Sequence, residues 1–90
     1  MPSSYRFVAS GLVQGVGFRW SAVSQAQRLG LSGWIANRAD GAVEGLASGE
    51  ADGLEAFRAW LRQGPRGAQV EQVDWAESAE KPQAGFGIRR

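Results

Sequence analysis

The stretch Tyr5-Arg6-Phe7-Val8-Ala9-Ser10-Gly11-Leu12-Val13-Gln14-Gly15-Val16-Gly17-Phe18-Arg19 decides the fold, because its periodicity changes in mid-course. Tyr5 to Val13 alternates loosely, with Phe7, Ala9 and Gly11 on one face and Arg6, Val8 and Ser10 on the other, which predicts a strand. From Phe18 the apolar residues Phe18, Ala22, Ala26 and Leu29 recur at helical spacing, which predicts a helix over about Phe18–Leu29 with one apolar stripe. Gly30 then stands where a left-handed helix cap is wanted, with Leu31 as its hydrophobic partner. A strand that runs through a glycine-rich turn straight into a helix is a β-α unit.

Further elements follow in order. Gly33-Trp34-Ile35-Ala36-Asn37 reads as a short strand, Asp40-Gly41 as a tight turn, and Ala42–Ala47 as the returning arm of a hairpin. Ala51–Gln63 is helical, with Leu54, Phe57 and Leu61 on one face, and Gly64-Pro65 ends it. Val70–Trp75 reads as a strand and Phe86–Arg89 as a short last one, after a polar connection around Glu80-Lys81-Pro82. The order β-α-β-β-α-β with an extra terminal strand predicts an α+β, ferredoxin-like βαββαβ sandwich: an antiparallel sheet with two helices on one face. Ninety residues suit a single domain over 1–90.

Composition excludes a good deal of chemistry. There is no cysteine and no histidine, hence no thiolate nucleophile, no disulfide and no imidazole general base. No metal site and no cofactor are expected. Nine of the ten basic residues are arginine, and the net charge of +1 lacks the concentrated basic face of a nucleic-acid binder. No apolar run is long enough for a membrane span, and Met1–Arg6 has no signal-peptide core, so a cytoplasmic monomer is the default expectation.

The turn carries the functional reading. A helix N-terminus offers unpaired N–H groups and a partial positive charge, and Gly15 and Gly17 let a tetrahedral anion approach the backbone. Arg19, a cation in the first helical turn, opposes the helix dipole unless an anion joins it, and its planar fork matches two phosphate oxygens. The glycines alone also suit a plain β-to-α turn. The segment is neither a nucleoside-triphosphate loop, lacking Gly-Lys-Ser/Thr, nor a dinucleotide fingerprint, since Trp20 occupies the third glycine position.

Two longer patterns sharpen this. Gly11-Leu12-Val13-Gln14-Gly15-Val16-Gly17-Phe18-Arg19 resembles the first signature of the acylphosphatase family, and Gly33-Trp34-Ile35-Ala36-Asn37-Arg38-Ala39-Asp40-Gly41-Ala42-Val43-Glu44 resembles the second. Gly64-Pro65, Ala68-Gln69-Val70 and Phe86-Gly87-Ile88-Arg89 also fit, so the resemblance spans nearly the whole chain. It implies hydrolysis of small acyl phosphates to carboxylate and inorganic phosphate, without metal and without a covalent phosphoenzyme. It implies that Arg19 binds the phosphate, that Asn37 positions the attacking water, and that the backbone of Gln14, Gly15, Val16, Gly17 and Phe18 cradles the phosphoryl group. Leu12 and Ala36 stand where the family often carries basic residues, which predicts less positive charge near the pocket; Gly45 stands where a β-branched residue is expected, which predicts a weakened strand or a bulge.

The remaining residues read as structure. Asp40 before Gly41 suits a turn rather than a carboxylate pair with Glu44; most of Trp20, Trp34, Trp60 and Trp75 read as packing residues at element edges; Arg58, Arg62 and Arg66 read as a solvated face; Gln14 suits a loop brace as well as a ligand contact. Nothing in the sequence reads a particular acyl group. Two other functions fit the topology: an RNA-binding module, for which the central strand segments offer few aromatics, and a catalytically silent acylphosphatase-like domain that binds a phosphorylated partner.

Overall fold

The computed structural model describes residues 2–90 and has the predicted order: β1 (Ser3–Leu12), α1 (Phe18–Arg28), β2 (Ser32–Asn37), β3 (Val43–Gly49), α2 (Ala51–Gln63), β4 (Gln69–Ser78) and β5 (Phe86–Ile88). The strands form one sheet in the order β4-β1-β3-β2-β5. The first four pair antiparallel, whereas β5 joins the edge of β2 in parallel, so the sheet is mixed. No described helix is long and apolar enough to cross a membrane.

Both helices lie on the face defined by Phe7 and Ala9 of β1, Ile35 of β2, and Val43 and Ala47 of β3. These side chains meet Phe18, Ala22 and Ala26 from α1 and Leu54, Phe57 and Leu61 from α2, in a core whose members are nearly all under a tenth exposed. Phe57 sits at its centre, edge-on to Phe7 at 5.6 Å and to Phe86 at 5.7 Å, geometries that the ring quadrupoles favour. The start and stop signals behave as read. At the end of α1 the Leu31 N–H donates to the Ala26 carbonyl and Gly30 N–H to that of Gln27, with Gly30 at φ 72°: a Schellman cap whose following leucine is buried.

The opposite face is partly covered by the connection between β4 and β5, which must cross the whole sheet because those strands form its two edges. Arg6, on the reverse of β1 from Phe7, pairs with Glu80 of this connection at 2.7 Å. Trp34 lies on the same face, with the Arg89 guanidinium 4.0 Å and that of Arg6 5.3 Å from its ring centre.

Gly45 departs from expectation. Register runs through it without interruption on both sides, opposite Phe7 in β1 and Ile35 in β2, and the one irregularity of β1–β4 pairing is at Ser10/Gly11. Gly45 is there for space: a Cβ would collide with the Trp34 carbonyl oxygen and the Phe7 ring. Gly45→Ala is therefore expected to destabilise by about 2 kcal/mol through overpacking, seen as a lower urea midpoint with an unchanged m value. Arg58 departs too. It is half-buried, its guanidinium lies 5.8 Å from the Trp75 ring centre, and its Nε is buried without a hydrogen-bond partner, so it belongs to the packing between α2 and β4 rather than to a solvated face.

Candidate active site

The strand-to-helix junction is built to leave its amides free. Gly15 and Gly17 take left-handed angles, φ 78° and 77°, which side-chain-bearing residues rarely adopt, and these two inversions turn the chain from β1 into α1. Gly17 occupies the position just before the helix, where no side chain caps it, and no acidic residue lies in the first turn. The first hydrogen bond of the helix runs from Ser21 N–H to the Gly17 carbonyl, which leaves the amides of Phe18, Arg19 and Trp20 without helical partners. Among the described residues the amides of Gln14–Gly17 donate no backbone hydrogen bond either. Val13 and Phe18, both at most 2% exposed, anchor the two ends of the loop in the core.

Arg19 is half-buried beside this cluster of donors, with no ion pair or side-chain hydrogen bond to another described residue. A positive helix end, free N–H groups and an uncompensated guanidinium add up to a local excess of positive potential. A plain turn would need neither the arginine nor the missing acidic cap, so these features favour an anion-holding role for the junction.

Asn37 closes β2. It shares a face with Ile35, the face on which α1 packs against β2, because alternate residues of a strand point the same way. Asn37 is exposed, and its side-chain amide makes no hydrogen bond within the described residues.

The link between junction and hairpin is Gln14. Its Nε2 donates both hydrogens across the fold, to the Arg38 carbonyl at 2.7 Å and the Ala42 carbonyl at 2.9 Å. Those two residues bracket the hairpin turn, whose own bonds run from Arg38 N–H to the Ala42 carbonyl and from Gly41 N–H to the Arg38 carbonyl. Asp40 holds the turn from inside: it accepts from Ala42 N–H at 3.1 Å and pairs with Arg38 at 2.9 Å, which leaves it no part in a carboxylate pair with Glu44. The loop that carries the free amides is thus pinned to the residue following Asn37. Replacing Gln14 with alanine is expected to remove both bonds and lower Tm by about 5–10 °C, with a loss of activity although Arg19 and Asn37 are intact.

Leu12 and Ala36 prove to lie away from this layer. Ala36 alternates with Ile35 and Asn37 and so faces the other side of the sheet, where it is buried. Leu12 alternates with core-facing Val13 and is 55% exposed. A polar cleft of about 670 Å³ lined by Trp34, Leu46, Lys81 and Arg89 also lies elsewhere, under the β4–β5 connection. The candidate site is a shallow seat made of backbone, which suits a group as small as a phosphoryl.

Fold and seat together define a class: a ferredoxin-like α+β domain with a glycine-built, electropositive strand-to-helix junction. Comparison with known proteins narrows it. A model of the acylphosphatase family matches residues 5–88. An acylphosphatase of Alkalilimnicola ehrlichii is 48% identical over 98% of this chain and 99% of its own length. Among solved structures, an acylphosphatase from Coxiella burnetii superposes with a TM-score of 0.94 at 38% identity, over 98% of this chain and 93% of that one. One from Bacillus subtilis gives 0.92 at 35% identity over the whole of both chains. The chain belongs to the acylphosphatase family, enzymes that hydrolyse acyl phosphates.

The RNA-binding alternative loses its footing in the same geometry. The central strands are β1 and β3, and their residues on the helix-free face are Ser4, Arg6, Val8 and Ser10, and Glu44, Leu46 and Ser48, with no aromatic among them. Tyr5 and Phe7 point to the helical side, where both stack with Trp75.

Proposed function

We propose that this chain, acting as a single cytoplasmic, monomeric domain over residues 1–90, hydrolyses the carboxyl–phosphate bond of small acyl phosphates by direct attack of water on phosphorus. The backbone amides of Gln14, Gly15, Val16, Gly17 and Phe18 receive the phosphoryl oxygens, and the Arg19 guanidinium grips two of them. The amide carbonyl of Asn37 accepts a hydrogen bond from the attacking water and aims its lone pair at phosphorus. The new bond forms between the water oxygen and phosphorus, the bond from phosphorus to the acyl oxygen breaks, and the electron pair leaves on the carboxylate. The water proton passes to a phosphate oxygen or to the departing carboxylate. Asparagine is too weak a base to take it, but the leaving group is good enough that strong base catalysis is not required. Positioning and charge stabilisation are the main contributions to phosphoryl transfer of this kind.

The observation that carries this reading is the double hydrogen bond of Gln14, which holds the free-amide loop against the end of the strand bearing Asn37. The test is release of benzoate and inorganic phosphate from benzoyl phosphate in the presence of a chelator. The expected result is turnover far above the spontaneous rate and unchanged by the chelator. Phosphate binding without turnover would instead identify a silent domain, and turnover lost with chelation would refute the metal-free mechanism.

A further inference from the structure

Trp20 does not behave as a packing residue. Trp60 stacks on Phe57 and packs tilted against Phe18, Trp75 stacks beside Tyr5 and Phe7, and Trp34 lies between arginines. Trp20 is 72% exposed, the most exposed large hydrophobic among the described residues. Single exposed hydrophobics are ordinary on protein surfaces. The place of this one is not: it is the third residue of α1, directly after Arg19.

Helical side chains lean toward the N-terminus of their helix, so each covers the turn before its own Cα. For Trp20 that turn is Val16–Arg19, the upper part of the seat. The loop itself offers no cover there, since Gly15 and Gly17 have no side chains and a Cβ at either would meet nothing within 4 Å. A phosphoryl group docked on the amides would leave its acyl portion pointing outward past the first turn.

We infer that Trp20 is the wall against which the acyl group rests, and that it makes the site prefer aromatic and long-chain acyl phosphates over acetyl phosphate. This rests on the hydrolase reading above. Flat apolar groups stack on an indole and shed water, whereas an acetyl group has too little surface to gain by it. Leu12 supplies a matched comparison. It is the other exposed large hydrophobic, at the opposite end of the same loop, and its side chain lies on the helix-free side of the sheet.

The experiment compares kcat/KM for benzoyl phosphate and acetyl phosphate in the wild type and in Trp20→Ala, Trp20→Phe and Leu12→Ala. The ratio of the two is expected to fall about five- to tenfold in Trp20→Ala, through KM, and to change less than about twofold in Trp20→Phe and Leu12→Ala. An unchanged ratio in Trp20→Ala, or an equal fall in Leu12→Ala, overturns the assignment. The non-hydrolysable benzoylphosphonate and acetylphosphonate read the same contrast as a ratio of Kd values. A chain without turnover would thus refute the hydrolase reading, while that ratio still decides whether Trp20 receives the acyl group.

Discussion

Arg19→Ala is expected to lower kcat/KM for benzoyl phosphate by about a thousandfold or more, and Arg19→Lys to recover little of it. Removal of one donor aimed at developing charge typically costs about 10²–10³ in rate, and in the proposed site Arg19 supplies two donors together with a positive charge. Lysine restores the charge but not the planar fork that meets two phosphoryl oxygens at once. Stability should move the other way. With no anion bound, Arg19 is a half-buried cation at a positive helix end with no counterion. Its removal should therefore leave the folded state unchanged or raise its stability by about 0.3–1 kcal/mol at low salt. Loss of activity at equal or higher Tm separates a ligand-binding role from a structural one. A thermal melt and a turnover assay on the same preparation read both quantities, and a variant that loses activity only by unfolding would contradict the assignment.

Asn37→Ala is expected to reduce turnover by about 10²–10³ while leaving the affinity for inorganic phosphate within about threefold of the wild type. The side chain is exposed at the end of β2 and makes no hydrogen bond among the described residues, so its truncation breaks no internal hydrogen bond and opens no buried cavity. What it removes, on the proposed mechanism, is the group that positions the attacking water. Because phosphate lacks the attacking water, it should bind almost as before. Asn37→Asp is a harsher change. It keeps the shape but brings a negative charge toward an anion, and should weaken phosphate binding as well as turnover. Near-normal turnover of Asn37→Ala would remove water positioning from the account.

The fold and the contacts around the candidate site were legible in the sequence to different depths for physical reasons. The change of period between Val13 and Phe18, the cap at Gly30 and the turn at Asp40-Gly41 are local, each determined by residues a few positions apart, and each appears where it was read. The parallel seating of β5 is not local. It depends on a connection that crosses the whole sheet, and no spacing within Phe86–Ile88 encodes its direction. Gly45 shows a similar limit: its reason is the Phe7 ring, 38 positions away in the chain, which only the β1–β3 register brings onto it. Gln14 was open between brace and ligand contact because its partners lie 24 and 28 residues away. Trp20 and Arg58 were misjudged in opposite directions. Composition assigns most tryptophans to packing and these arginines to solvent, yet Trp20 of α1 is exposed and the Nε of Arg58 in α2 is buried.

The departures bear on function in a consistent way. The sheet and the apolar core hold Val13 and Phe18 at the ends of the 13–18 loop, and the candidate site is mostly backbone. That division makes few demands on side chains: one guanidinium, one amide and one brace. On the proposed mechanism, positioned donors and a positive helix end would replace the acid, base or nucleophile that histidine or cysteine, both absent from this chain, would supply.

The most direct test is a titration with inorganic phosphate followed by the backbone amide resonances of the wild type, Arg19→Ala and Asn37→Ala. Phosphate should shift the amides of residues 14–19 in the wild type and in Asn37→Ala with similar Kd, and bind far more weakly to Arg19→Ala. Shifts centred instead on Trp34, Lys81 and Arg89, or binding that survives the loss of Arg19, would contradict it.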